Sequence, residues 1–180
     1  MKVVSDAGPL MALAKVGGLD ALFQLFPKVL TPPAVHEELV TAGLRLGAPD
    51  ALLLEGHYRS AQIEIRSPSP MTFRQEELLG NGEEQSIRLA IGERAGWLLV
   101  DDFDARRIAS ARLQEVGLDA RVTGTLGIIL AACQKKRISR QRALDLVEAL
   151  SARPDIWISD DLCRRVCEIL HAEPNEPASS

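Results

Sequence analysis

The stretch from Gly80 to Ala109, GNGEEQSIRLAIGERAGWLLVDDFDARRIA, reads as a helix, a strand and a second helix in direct succession. Gly80-Asn81-Gly82 is a turn that opens a helix running to about Arg94, and Glu83 and Glu84 in its first turn suit the positive end of a helix dipole. Trp97-Leu98-Leu99-Val100 is a continuous apolar run, the pattern of a strand buried on both faces. Asp101-Asp102 ends it, and Asp104 is expected to cap the helix that continues to about Glu115. A buried strand between two amphipathic helices is the repeating unit of an α/β protein with a parallel sheet.

The rest of the chain follows the same alternation. Lys2 to Ser5 is a first strand, ended by Asp6 and Gly8-Pro9, and helices follow with Leu10, Leu13 and Ala14 inward, then Leu19 to Phe26 beyond Gly17-Gly18. Lys28 to Thr31 is the second strand, and Pro33 starts a helix over Ala34 to Thr41. In Gly43 to Ser60, Asp50 is a candidate cap for a helix ending at Leu54, with Gly47-Ala48-Pro49 and Gly56 leaving room for a loop. Ile63 to Ile65 and Ala120 to Val122 are the third and fifth strands. Thr123-Gly124-Thr125 is expected to cap a helix from Leu126 to Lys135, and Ser139 one from Gln141 to Ala152; Ser159 starts the last, to about Ala172. The expected architecture is one α/β domain with a mostly parallel five-stranded sheet over residues 1–172, followed by a disordered tail at 173–180 with the composition PNEPASS.

Composition narrows the function. The 180 residues are 46% apolar and carry a net charge of −4, so the chain lacks the gross positive charge of many nucleic-acid binders. The longest apolar run, Leu126 to Cys133, is eight residues, against about 18 for a bilayer span. No signal peptide is expected from an N-terminus broken by Asp6 and Gly8-Pro9, so the expected compartment is the cytoplasm. Three cysteines are too few for a disulfide framework. With aromatics at 4%, the core must be aliphatic and stacked-base platforms are few.

The informative acids are those at strand ends, because an open parallel sheet binds ligands outside the carboxyl ends of its strands. Asp6 ends strand one and Asp101 ends strand four. If the winding direction reverses between them, both carboxylates enter one crevice, where they repel by roughly 4 kcal/mol at 4 Å unless a cation intervenes. A hard divalent ion, Mg²⁺ or Mn²⁺, answers that need with oxygen ligands. Glu38 flanks the buried stripe of Val35 and Leu39, and Glu83 opens its helix nearby; the ordinary alternative for each is a solvated glutamate. Cys163, Cys167 and His171 also share a helix face, but a fourth metal ligand is lacking and core packing is the simpler expectation. His36 and His57 stand alone.

Taken together, VVSDAGPLMALAKVGGLDALFQLF, VLTPPAVHEELV, the Gly80–Ala109 stretch and VTGTLGIILAACQKKRIS resemble PIN-domain proteins, in particular the compact bacterial and archaeal PIN-like nucleases related to VapC-type toxins. The resemblance covers nearly the whole chain in order. It implies a three-layer α/β/α nuclease that cuts RNA with one or two divalent ions, Mg²⁺ or Mn²⁺. By position, the metal-holding and catalytic acids fall on Asp6, Glu38, Glu83 and Asp101, with Glu84 and Asp102 as alternates at the same separation. Neighbours on a helix are about 100° apart, so only one of Glu83 and Glu84 can face the site. The third acid is glutamate here where many relatives have aspartate, and Asp102 stands where arginine or asparagine often follows. Substrate contacts are expected from Arg106, Thr123 and Thr125, with Arg107 and Lys135-Lys136-Arg137 as further cations. The resemblance also implies a possible small antitoxin protein as partner and a homodimer. The alternative is a catalytically inactive PIN-like module that binds a partner.

Overall fold

The computed structural model describes residues 1–70 and 79–172; the expected tail at 173–180 lies outside them. Along the chain come β1 (Val3–Ser5), α1 (Ala7–Lys15), α2 (Leu19–Leu25), β2 (Val29–Thr31), α3 (Pro33–His36), a π-helical turn (Glu37–Ala42), α4 (Gly43–Arg45) and α5 (Pro49–Arg59). Then follow β3 (Ile63–Ile65), α6 (Asn81–Gly92), β4 (Trp97–Leu99), α7 (Phe103–Glu115), β5 (Arg121–Thr123), α8 (Thr125–Gln134), α9 (Arg140–Ser151) and α10 (Asp160–Ala172).

The five strands form one parallel sheet in the order β3-β2-β1-β4-β5. β1 therefore starts one wing and β4 the other, and the two pair directly, Val3 with Trp97, Val4 with Leu98 and Ser5 with Leu99. That is the switch in winding direction at which open α/β sheets form a crevice. Alternation along the strands divides the core in two. Val3, Val29, Ile63, Trp97 and Leu99 join the side chains of α1, α2, α5, α8, α9 and α10 on one face. Val4, Leu30 and Leu98 meet Ile87, Leu89 and Ala90 of α6 and Ile108, Ala109 and Leu113 of α7 on the other. Helices on both faces bury both sets of side chains, which explains the uninterrupted apolar run at Trp97–Val100. Among the described residues, no helix is long and apolar enough to cross a membrane.

Several local expectations are corrected. The cap of α7 is Asp102, whose Oδ1 accepts from the Ala105 N–H at 2.8 Å; Asp104 lies inside the first turn and pairs with Arg107 at 3.7 Å. The expected Ala34–Thr41 helix begins at Pro33 and continues through the π-turn into α4, with right-handed helical backbone at each junction, as one rod from Pro33 to Arg45. Nothing in the sequence period announces a π-turn, since it fits an extra residue into a helix otherwise intact. Asp50 is not a cap: Ala48 occupies that position, Pro49 takes the first helical position and α5 runs past Gly56 to Arg59. Gly124 takes the cap position of α8 without a side-chain bond, while Ser139 caps α9 as expected, accepting from Arg142 N at 3.1 Å.

The rod and α5 touch closely where Gly43 faces Ala51: a Cβ on Gly43 would lie 2.7 Å from the Ala51 Cβ. Neither atom has a flexible tail that can move aside. Gly43→Ala is expected to lower stability by about 1–3 kcal/mol through overpacking, despite the roughly 1 kcal/mol alanine gains in helix propensity. Ala51→Gly in the same chain should recover most of the loss, measured as urea midpoints of the single and double variants.

Candidate functional site

β1 ends at Ser5 and the Asp6 N–H donates to the Leu99 carbonyl at 2.9 Å, which places the Asp6 side chain at the carboxyl end of the β1–β4 pair. Asp6 precedes α1, yet its side chain makes no cap bond to that helix. It turns into the crevice, where it is 8% exposed and its Oδ1 accepts from the Ser86 hydroxyl at 3.3 Å. Burial pushes its carboxyl up from 3.8 to about 7; the Ala7 N–H and Ser86 act against the shift, and Glu83 and Glu38 add to it. Among the described residues, every charged group that acts on Asp6 is acidic.

Glycines make the crevice possible. A Cβ on Gly82 would sit 3.3 Å from Asp6 Oδ1 and 3.6 Å from Glu38 Oε2, so these two carboxylates flank one point at the start of α6. Gly82 thereby admits the helix N-terminus between them. Glu38 as a residue is exposed, yet desolvation raises its carboxyl. Glu83 reaches back to accept from the Gly80 N–H at 2.8 Å. Its carboxyl is raised, first by desolvation and then by Asp102 and Glu38, against the Gly80 contact. Glu84 turns aside to Arg88, at 3.5 Å, and Asp102 is exposed and engaged as the α7 cap.

Asp101 occupies the other wall. Its Oδ1 accepts from Thr125 N at 2.7 Å and its Oδ2 from the Thr125 hydroxyl at 2.6 Å, so it anchors the start of α8. Desolvation raises this carboxyl, with the two Thr125 donors and Arg106 acting against it. The space is again kept by glycine: a Cβ on Gly124 would fall 2.5 Å from Asp101 Oδ1 and 2.9 Å from an Arg106 guanidinium nitrogen, and one on Gly8 would fall 3.3 Å from the Asp101 Cβ. Arg106 is half-buried and donates to the Asp101 carbonyl at 2.9 Å. Thr123 ends β5, and its hydroxyl lies over Gly127. Sequence reasoning missed Ser86 and these glycines. The Gly8-Pro9 and Gly80-Asn81-Gly82 signals were visible, but as turns rather than as room for carboxylates.

Asp6, Glu38 and Glu83 thus act on one another near the start of α6, while Asp101 follows the neighbouring strand β4 and is engaged by Thr125 and Arg106. Among the described residues, no group of three or more His, Cys, Asp or Glu is close enough to hold a metal ion. Cys163, Cys167 and His171 form no such group either; they line a groove between α9 and α10, where burial pushes both thiols up. The chemistry nevertheless fits a hard divalent cation: Asp6, Glu38 and Glu83 offer carboxylate oxygens, the charged groups acting on Asp6 among the described residues are acidic, and Gly82 leaves a cradle between Asp6 and Glu38. Lys135-Lys136-Arg137 is elsewhere. It follows α8, whose other end carries Thr125, so about 15 Å of helix separates the cluster from the crevice; Lys135 lies 5.8 Å over the ring of Trp97 at the opposite end of the sheet.

Residues 2–172 match a protein-family model described as a PIN domain. No curated protein and no solved structure matches the chain.

A carboxyl whose folded pKa exceeds its unfolded one keeps a proton that the unfolded chain has released, so folding loses stability as pH rises from about 4 to about 7. For Asp6 the slope approaches 1.4 kcal/mol per pH unit. In chelator, Asp6→Asn is therefore expected to lack this slope and to be roughly 2–4 kcal/mol more stable than the parent at pH 7, read from urea unfolding at pH 5, 6 and 7. Parallel pH profiles for the two proteins would contradict the assignment. Thr125→Val should cost about 1–3 kcal/mol by removing a donor from a buried carboxylate, with Thr125→Ser close to wild type in the same measurement.

Proposed function

The chain belongs to the PIN-domain family, and from that premise we propose that it is a metal-dependent endoribonuclease hydrolysing RNA phosphodiesters with Mg²⁺ or Mn²⁺. The observation that carries the proposal is the Asp6 carboxyl, buried at the end of β1 beside Ser86, with Glu83 and Glu38, among the described residues, as the charged groups acting on it. Such a cluster of like charges destabilises the empty fold, and a divalent cation relieves it.

In this scheme Asp6 and Glu38 hold the cation from either side of Gly82, and Asp101 and Glu83 complete the set directly or through water. A bound divalent ion polarises the scissile phosphate and acidifies water. The chain's own residues supply the rest. Glu83, raised by its surroundings, orients the attacking water and takes its proton. Arg106, its guanidinium held on the Asp101 carbonyl, faces the same crevice wall and offsets phosphate charge. Thr125 fixes Asp101 through two donors, and Thr123 offers a hydroxyl to the phosphate at the end of β5. The finer proposal, a toxin held in check by a small antitoxin and acting as a dimer, extends from the family likeness; a neighbouring reading frame for a small DNA-binding protein would support it.

One observation favours a second proposal, an inactive PIN-like binding module: Glu83 and Asp101 are already engaged by Gly80 and Thr125. Calorimetry with Mn²⁺ separates the two, because only the nuclease should show a heat of binding that Asp6→Asn abolishes. For the nuclease, Asp6→Asn and Glu38→Gln are each expected to lower metal-dependent cleavage of a labelled RNA by about 100-fold or more. Arg106→Ala should lower it by about tenfold with metal affinity retained. Cleavage undiminished in purified Asp6→Asn would refute the proposal.

A further inference from the structure

The π-turn redirects side chains on the far half of the helix it interrupts. In an uninterrupted α-helix, residues seven apart share a face, so Arg45 would project beside Glu38 into the acidic crevice. The extra residue taken up by the Glu37–Ala42 turn swings the next helical turn by roughly 100°. Glu38 stays at the crevice with Val35, both within 3.6 Å of the Gly82 Cβ position. Arg45 instead joins His36 and Leu44 in lining a groove against Tyr58 and Arg59 of α5, about 590 Å³ in volume. The rod Pro33–Arg45 is thus a shared wall, with Glu38 toward the acids on one side and Arg45 toward a groove of mixed charge on the other.

The groove is built from parts that suit a nucleotide. Tyr58 is fixed by a 3.0 Å hydrogen bond between its hydroxyl and that of Thr31 at the end of β2. The His36 ring meets it edge-to-face at 4.7 Å, giving an ordered aromatic wall in a chain with few rings. Arg45 and Arg59 stand at the rim with side chains 74% and 77% exposed. Arg45 pairs with the exposed Glu37 at 3.9 Å, a weak competitor, whereas Arg59 donates to Glu55, a half-buried acid in the same groove, at 2.6 Å and must exchange that bond for a phosphate. A guanidinium engages phosphate in a bidentate manner and its plane also stacks on bases.

We propose that this groove grips the single-stranded RNA adjoining the scissile phosphate, with Arg45 and Arg59 on backbone phosphates and a base against His36 and Tyr58. The proposal rests on the nuclease function and supplies what the crevice lacks, since an acidic cluster repels a polyanion until metal is bound. A single strand is required because a base must leave the duplex to reach an aromatic side chain.

The test is fluorescence anisotropy of a labelled single-stranded RNA with the full chain in chelator, where grip is read without cleavage. Arg45→Ala with Arg59→Ala is expected to weaken binding on the order of tenfold and to flatten the slope of log affinity against log salt by about 1 to 1.5. His36→Ala should weaken it several-fold with the slope unchanged, and Arg164→Ala with Arg165→Ala on α10 should leave both unchanged. Wild-type affinity and slope in the Arg45/Arg59 variant, or no binding by wild type in chelator, overturns the groove. So does a change in oligomeric state by sedimentation without a change in RNA affinity, which would make the face a contact between copies. Cleavage by Asp6→Asn is scored separately, and its persistence would refute the nuclease function whatever the groove does.

Discussion

Parallel pairing of β1 with β4 is the constraint on which the rest of the molecule depends. Its last rung, from the Asp6 N–H to the Leu99 carbonyl, closes the ladder and leaves two chain segments leaving the sheet side by side. Because β2 and β3 lie on one side of this pair and β5 on the other, no strand among the described residues covers the gap between the departing segments. Asp6 lines one wall and Asp101 the other. A different strand order would keep each element intact and scatter these acids over separate sheet ends.

The carboxylates reach the gap only because backbone gives way to them. A Cβ on Gly124 would collide with Asp101, and one on Gly8 or Gly82 would crowd Asp101 or Asp6, so these glycines let helix starts come close to the acids. The two walls differ in how they satisfy their charge. Asp101 accepts two hydrogen bonds from Thr125 and has Arg106 nearby. Asp6 has the Ala7 N–H, a longer contact to the Ser86 hydroxyl and acidic neighbours, and is pushed to about 7. The two carboxylates thus differ in their partners, Asp101 being tied to the start of α8 and Asp6 lying among acids, while burial opposes the charged form of both.

Much of this was legible in the chain. Five strands and their order along the sequence followed from apolar runs and turn residues, and a parallel α/β sheet followed from their alternation with helices. The acids at Asp6 and Asp101 stood out because strand ends are where such sheets bind. Other features had no signal. Asp102 and Asp104 are equally good caps on paper, and only the path of the chain out of β4 decides that Asp102 accepts from Ala105. The stretch Gly43–Ser60 carries enough glycine and proline to suggest a loop, yet packing of Ala51 and Leu54 into the core holds it helical. Lys135-Lys136-Arg137 is the less favoured cation cluster already in the sequence, and α8 carries it to the other end of the sheet.

The sequence by itself determined the local grammar: where strands and helices fall, which faces are apolar, which acids stand at strand ends and which family pattern they follow. These depend on periodicity and turn chemistry, which act over a few residues. Tertiary structure decided which of those acids are buried together, which are engaged by backbone donors and which arginines share their surroundings. Those outcomes depend on strand order, on close approach at three glycines and on one π-turn that rotates Arg45 away from Glu38. Desolvation and charge repulsion respond to distances between residues far apart in the chain, such as Asp6 and Ser86, and no local pattern encodes those distances.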